Sequence, residues 1–279
     1  MTHTSRELIL TKHHGLGNDF LVTFHPGIAD LPRLARALCD RRRGVGADGL
    51  LIGESEPGYA ARMVLYNADG SKAEMSGNGI RCFAQALAAR LGDTQPQLII
   101  TDAGERLVTM WCTTADAIEA SVDMGAVETI AEPATWRDVG ADALRPVAHL
   151  SVGNPHTVVG VDDVGLIDLE AIGGLMPDVN LEIVAAGPEP DAITMRVHER
   201  GAGITEACGT GACASAWAAV AWGLVPSNLE QIVVHMDGGD AKVRLHHPSS
   251  GRVTLIGPAV FIATITVVLS DFYEGSTTL

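Results

Sequence analysis

Two stretches of this chain, 132 residues apart, spell the same turn running into the same kind of helix. Residues 74 to 86 read EMSGNGIRCFAQA and residues 206 to 218 read EACGTGACASAWA. Each has Glu-x-(Ser/Cys)-Gly-(Asn/Thr)-Gly followed by an alanine-rich run. A second pair of landmarks recurs nearly in step: Asn18 in HGLGNDF and Asn154 in VGNPH lie 136 residues apart. Chance likeness between glycine-rich loops would account for either pair alone. The shared offset instead points to an internal duplication of about half the chain. A duplicated chain of this kind folds as two α+β domains related by a pseudo-twofold, facing one another across a cleft.

The rest of the sequence fits that plan. Short apolar runs between Gly, Asp and Asn turns predict strands at ELILTKHHG, DGLLIGES, ARMVLYNADG, QLIITDAG, RLVTMWC and AIEASVDMG. Helices are expected over 32–42 and 77–91. The second half repeats the order with VAHLSVGNPHTVVG, LEIVAAG, AITMRVHERG, a helix over 209–222, then QIVVHMDGG, AKVRLHH and RVTLIG. GPAVFIATITVVL is expected to return to the first half as a closing strand. The domains are therefore drawn as 1–125 plus 263–279, and 126–262.

A net charge of −15 over 279 residues excludes the usual nucleic-acid and anionic-membrane binders, whose partners such a surface would repel. No apolar run approaches the roughly 20 residues of a membrane span, and the first residues lack the layout of a signal peptide. Five cysteines without metal-ligand spacing fit a reducing, cytoplasmic setting better than a disulfide framework. Cys39, Cys82 and Cys112 are read as small buried hydrophobes. GVGADG (44–49) satisfies G-x-G-x-x-G literally, but it follows a helix and precedes a strand, the reverse of the dinucleotide fingerprint. It is read as a turn.

The twin turns carry the chemistry. Glycines before a helix let the backbone approach a ligand, and the helix's first amides, lacking internal partners at the positive end of its dipole, suit a carboxylate. The same field at Cys208 is expected to depress its thiol pKa. Two such mouths facing one cleft would hold an α-carboxylate and set Ser76 and Cys208 on opposite faces of the adjacent carbon. That layout lets one group remove a proton and the other return one, inverting the centre.

HGLGNDF, RRGVGADGLL, YNADGSKAEMSGNGIRCFA, GNPH, VNLEIV and ERGAGITEACGTGACA, in this order, resemble the successive motifs of the diaminopimelate epimerase family. LIGPAVFI matches near the end. The resemblance implies two pseudo-symmetric domains, each a β-barrel-like sheet wrapped round a central helix. It also implies interconversion of LL- and meso-diaminopimelate for lysine and peptidoglycan synthesis, with neither pyridoxal phosphate nor metal, and a homodimer. Carried over by residue, it makes Ser76 and Cys208 catalytic, and Asn18, Asn67, Asn154 and Asn180 substrate-contacting. Gly77, Asn78, Gly209 and Thr210 would bind the carboxylate beside the reacting carbon. Arg200 would grip the distal carboxylate bidentately, Glu199 would satisfy an ammonium, and His156 would support catalysis.

The family carries cysteine at both twin positions, and this chain has Ser76 at the first. Cys82, six positions on, falls inside the helix and does not replace it. An introduced Cys-to-Ser change and a naturally divergent epimerase of another amino acid both account for the serine. Three rival readings are set beside these. A cysteine hydrolase would use Cys208 with His156 or His235 as base. A pyridoxal-phosphate racemase would need Lys12, Lys72 or Lys242. A binding module would hold an amino acid without chemistry.

Overall fold

The computed structural model describes residues 7–112, 114–139, 145–246 and 250–269. The side chains of Cys112 and Asp138 lie outside that description, as do residues 1–6 and 270–279 of the first-half assignment. The first half runs β1 (Glu7–Gly15), β2 (Asn18–Phe24), helix α1 (Leu31–Cys39), β3 (Gly49–Glu54), β4 (Ala61–Asn67), β5 (Lys72–Ala73) and helix α2 (Gly77–Leu91). It continues with β6 (Gln97–Thr101), β7 (Gly104–Cys112), β8 (Ala117–Ala126) and β9 (Glu128–Thr129). The second half runs β10 (Val147–Ser151), β11 (Pro155–Gly160), α3 (Leu169–Gly173), β12 (Asn180–Ala186), β13 (Ala192–Glu199), β14 (Gly203–Thr205) and α4 (Gly209–Trp222). It ends with β15 (Ile232–Met236), β16 (Gly239–Leu245) and the long β17 (Arg252–Val268).

The strand pairings form two closed rings with one topology. In the first, β1–β2–β3–β4–β6–β7–β8–β17 returns to β1, parallel at β2–β3 and β4–β6 and antiparallel elsewhere. In the second, β10–β11–β12–β13–β15–β16–β17–β8 is closed by β9, which continues β8 beyond Val127 and pairs with β10. Its parallel pairs, β11–β12 and β13–β15, fall at the corresponding places. Parallel neighbours need a crossover, so each half inserts helices at the same two points, α1 and α2 in one and α3 and α4 in the other. Strands β8 and β17 pair with each other and serve both rings. The duplication read from two loops thus extends through the whole topology.

α2 and α4 fill the rings. Every residue from Gly77 to Ala88 is buried, and α4 is buried on nearly all sides from Gly209 to Ala219. A helix enclosed by sheet cannot keep a polar face, and the ring leaves room mainly for small side chains. Alanine meets both demands with the best helix propensity. Gly92 and Gly223, in the left-handed conformation at φ 68° and 73°, end the two helices alike. Both helices pack into one continuous core, while α1 and α3 cover smaller clusters outside the rings.

Two local expectations are corrected. β2 was not among the expected strands: it is buried from Asn18 to Thr23 on both faces, so it shows no alternation to read. α1 ends at Cys39 rather than 42 because the Asp40 carboxylate accepts from the amides of Arg42 and Arg43, both at 2.8 Å, turning the chain. GVGADG is the turn expected, leading into β3. The residues Ala263–Val268 of β17 pair with Glu7–Lys12 of β1. Among the described residues no helix is long and apolar enough to cross a membrane.

Candidate active site

The first turns of α2 and α4 touch. A β-carbon added to Gly77 would lie 2.9 Å from the Cα of Gly209 and one added to Gly209 would lie 2.9 Å from the Cα of Gly77, so no larger residue fits either place. Ser76 and Cys208 are the N-caps of these helices, with matching extended backbones at φ/ψ −138/124° and −129/113°. Ser76 Oγ accepts from the amide of Gly79 at 3.0 Å, and Cys208 Sγ accepts from that of Gly211 at 3.4 Å. Both caps line one pocket, with Gly77, Asn78, Gly209 and Thr210 between them. The amides of those four residues precede the first intrahelical bond, so two dipole ends converge where an anion would sit.

Four asparagines come to the pocket from loops and strand ends in both halves. Asn18, Asn67, Asn154 and Asn180 all line it, as do Glu199 and Arg200. Asn18 is held at both ends: its Nδ2 donates to Asp48 Oδ2 at 2.8 Å, and its Oδ1 accepts from Asn78 Nδ2 at 3.3 Å. Asp48 is gripped in turn by Arg41 at 2.7 Å, which also reaches Asp19. Burial opposes ionisation of Asp19, but hydrogen bonds from Arg41 and Lys12 outweigh it and hold its pKa below the ordinary carboxylate value. Asn180 Oδ1 accepts from the amide of Arg200 at 2.9 Å, while the Arg200 guanidinium crosses between halves to Glu74 Oε2 at 3.2 Å. The pocket continues into a wider cleft that shares Asn18, Asp48, Asn67, Ala202 and Thr205 with it.

The electrostatics around Cys208 overturn one expectation. The helix mouth was expected to lower its pKa; instead burial raises it well above the ordinary thiol value, and the nearby Glu199 and Glu182 carboxylates raise it further. Hydrogen bonds from Thr210 and the Gly211 amide offset only part of this. The resting group is a neutral thiol. Glu199 is itself raised, first by burial, with Glu182 adding repulsion against the lowering effect of hydrogen bonds from Thr205 and Cys208. Cys208 and Glu199 therefore share a site where each resists a negative charge.

His156 lies beneath the pocket and does not line it. It is fully buried, with Nδ1 2.6 Å from Glu182 Oε1 and Nε2 3.0 Å from Asn154 Oδ1. With both ring nitrogens so engaged it does not bond Cys208, which removes the base from the hydrolase reading. His235 is no substitute, since it pairs with Asp240 across the β15–β16 hairpin and with Glu189 from the β12–β13 loop. Lys12, Lys72 and Lys242 pair with Asp19, Asp102 and Glu119, and none lines the pocket. Cys39, Cys82 and Cys213 are buried, and burial lifts each thiol pKa to about 12.

Superposing the two ring registers shows where the duplicated halves have diverged. Phe20 faces Gly49 as His156 faces Asn180, and Val22 faces Leu51 as Val158 faces Glu182. Leu51 faces Leu65 as Glu182 faces Val197, so Asn67 and Glu199, each two residues further on, also correspond. The Cys208 side therefore carries His156, Glu182 and Glu199 where the Ser76 side carries Phe20, Leu51 and Asn67. Acid/base machinery surrounds one cap only. Sequence reasoning missed Asp48, Glu74 and Glu182. A glutamate inside the apolar run VNLEIV was the available signal for the last, because a buried strand keeps a charge only with a partner.

The comparisons with known proteins agree with this geometry. The sequence profile of diaminopimelate epimerase matches residues 10–130 and 149–262. The diaminopimelate epimerase of Desulfitobacterium hafniense is 37% identical, over 91% of this chain and 95% of its own length. That of Halothermothrix orenii is 37% identical over 95% and 99%. Among solved structures, a hydroxyproline epimerase from Agrobacterium vitis aligns at a TM-score of 0.72 and 16% identity, covering 97% of this chain and 95% of that one. A Bacillus anthracis phenazine biosynthesis protein aligns at 0.73 and 14%, covering 94% and 99%. These two show the shared fold alone. With two curated relatives above a third identical across nearly their whole lengths, the chain belongs to the diaminopimelate epimerase family.

Proposed function

We propose that this chain is an isomerase that interconverts LL- and meso-diaminopimelate by direct proton transfer at the α-carbon, with Cys208 serving one face and Ser76 the other. The observation that carries the reading is the contact between the α2 and α4 first turns, which sets the two N-cap side chains in one pocket. The amides of Gly77, Asn78, Gly209 and Thr210 hold the α-carboxylate, and the asparagines fix the ammonium and the chain. Arg200 exchanges Glu74 for the distal carboxylate. Glu199, which lines the same pocket and is inclined to accept a proton, takes the thiol proton. The thiolate then removes the α-hydrogen, and the charge moves into the carboxylate against the helix mouths. Protonation from the opposite face falls to the Ser76 hydroxyl.

Ser76 is the weak partner, since a hydroxyl ionises far less readily than a thiol and its neighbours Phe20 and Leu65 are apolar. Hydrogen exchange from the Cys208 face should proceed while inversion lags. The experiment follows deuterium uptake and optical inversion separately in heavy water, with Ser76→Cys alongside. Ser76→Cys should raise inversion by about 10²–10⁴-fold and leave exchange comparatively unchanged. Inversion equally fast in both forms would refute the division of labour. The same reading takes the chain as a cytoplasmic homodimer with domains 1–125 plus 263–279 and 126–262. Exposed Ile9, Ile262 and Val268 on the β1–β17 ribbon offer a second copy an apolar strip, and a monomeric mass by sedimentation would refute the dimer.

A further inference from the structure

Directly beneath the paired helix mouths lies a cation that the mechanism above does not use. Arg81, in the second turn of α2, is completely buried. Its Nε donates to the carbonyl of Pro258 at 3.0 Å, Nη1 to that of Gly77 at 2.9 Å, and Nη2 to Asn78 Oδ1 at 2.8 Å. All three partners are neutral. Among the described residues no carboxylate comes within ion-pair reach of it. The backbone is fitted closely around the group: β-carbons on Gly15 and Gly257 would each stand 3.2 Å from guanidinium atoms. Burial lowers its pKa to about 10, which still leaves it charged at neutral pH.

An unpaired buried charge costs several kcal/mol, and a chain seeking only stability would place an apolar residue there. α4 does so: the position matching Arg81, five residues after the cap, is Cys213. Arg81 lies close enough to Cys213 to favour its ionisation, against the burial that keeps the thiol neutral. Through Asn78 the hydrogen bonding of Arg81 reaches both halves of the pocket. By fixing Asn78 Oδ1, Arg81 turns Asn78 Nδ2 toward Asn18 Oδ1 and toward the carbonyl of Ala207 at 3.0 Å, the residue before Cys208.

We infer that Arg81 is a positioning residue whose guanidinium is left without a counter-ion so that the substrate's α-carboxylate, and the charge that builds on it during proton removal, become that counter-ion across the helix mouths. The inference rests on the proposed epimerase reading and names the group that supplies its positive field. The carboxylate does not touch Arg81; it meets the amides and feels the cation behind them. In the water-poor interior such a charge is screened little.

The test measures kcat and KM for deuterium uptake by diaminopimelate in heavy water, together with thermal melting, on the present chain, Arg81→Gln, Arg81→Lys and Cys213→Asp. Arg81→Gln keeps a donor for Asn78 without the charge. Cys213→Asp leaves Arg81 itself unchanged and sets a carboxylate on the facing helix near the guanidinium, and the melting curve shows that each variant is folded before its rate is read. Arg81→Gln and Cys213→Asp should each lower kcat about 10- to 100-fold with smaller changes in KM. Arg81→Lys should recover most of the loss. Cys213→Asp exchanging at the parent rate would overturn the inference, as would Arg81→Gln doing so. An equal loss in the lysine and glutamine forms would overturn it too. No exchange by the parent chain itself would instead defeat the epimerase reading.

Discussion

Replacing Gly209 by alanine tests the contact on which the site is built. The new β-carbon would stand 2.9 Å from Gly77 Cα and 2.7 Å from Leu255 Cδ2, whereas ordinary contact begins at 3.4 Å. The leucine methyl can rotate away; the Gly77 backbone can withdraw only if α2 moves by about half an ångström. Overpacking of this kind costs about 1–3 kcal/mol. Alanine returns at most about 1 kcal/mol through its better helix propensity, leaving a net loss of up to about 2 kcal/mol. The functional loss follows from displacement, since a shift of about 1 Å can cost 10²-fold. Half of that should lower deuterium exchange about tenfold. The assays are the urea midpoint at constant slope and exchange in heavy water. Adding Leu255→Ala should not restore the rate, because the backbone contact persists. A Gly209→Ala protein with parent midpoint and parent exchange would refute the contact, and full recovery in the double variant would assign it to the leucine alone.

Other expectations follow from the asymmetry between halves and from surface charge. The double change His156→Phe with Glu182→Leu, which copies the first-half residues into the second, should leave stability unchanged or raise it by about 1–4 kcal/mol. It should also lower exchange, because His156 no longer holds Asn154 in the pocket; undiminished exchange would show that this support is dispensable. The pKa of His235 is raised by its hydrogen bond to Asp240, against burial, with Glu189 adding to the rise. Its stabilisation is therefore complete below the unfolded value near 6.5 and is lost as pH climbs through the higher folded value. His235→Gln should remove a pH-dependent increment of about 0.2–1 kcal/mol, seen by denaturation at pH 5.5 and pH 8.5. A His235→Gln difference that grows toward pH 8.5 would contradict this sign.

Much of this was legible because the duplicated turn is a local signal: capping residue, glycines and alanine run all lie within thirteen positions. The helices over 77–91 and 209–222 and the strands with alternating burial followed from the same kind of short-range pattern. β2 escaped because a strand buried on both faces has no alternation. The state of Cys208 was misjudged for a different reason. The helix mouth is visible in sequence, but the burial and the two carboxylates that outweigh it arrive from β12 and β13, and no spacing reveals their approach. Asp48 was hidden in a glycine-rich stretch rejected as a nucleotide site; rejecting that reading was sound, yet the loop orients Asn18. Arg81 sits in an alanine-rich helix where a single arginine usually marks a solvent-facing turn.

The two strands common to both rings bear on how the molecule is made. β1 is made before β17, yet its closing neighbour is the far end of β17. Until then the N-terminal sheet has an open border able to pair with a stranger, and closure must wait on contacts about 250 residues apart in sequence. The C-terminal ring can close on β8 and the first part of β17 somewhat earlier. The N-terminal ring is thus the later of the two to be sealed.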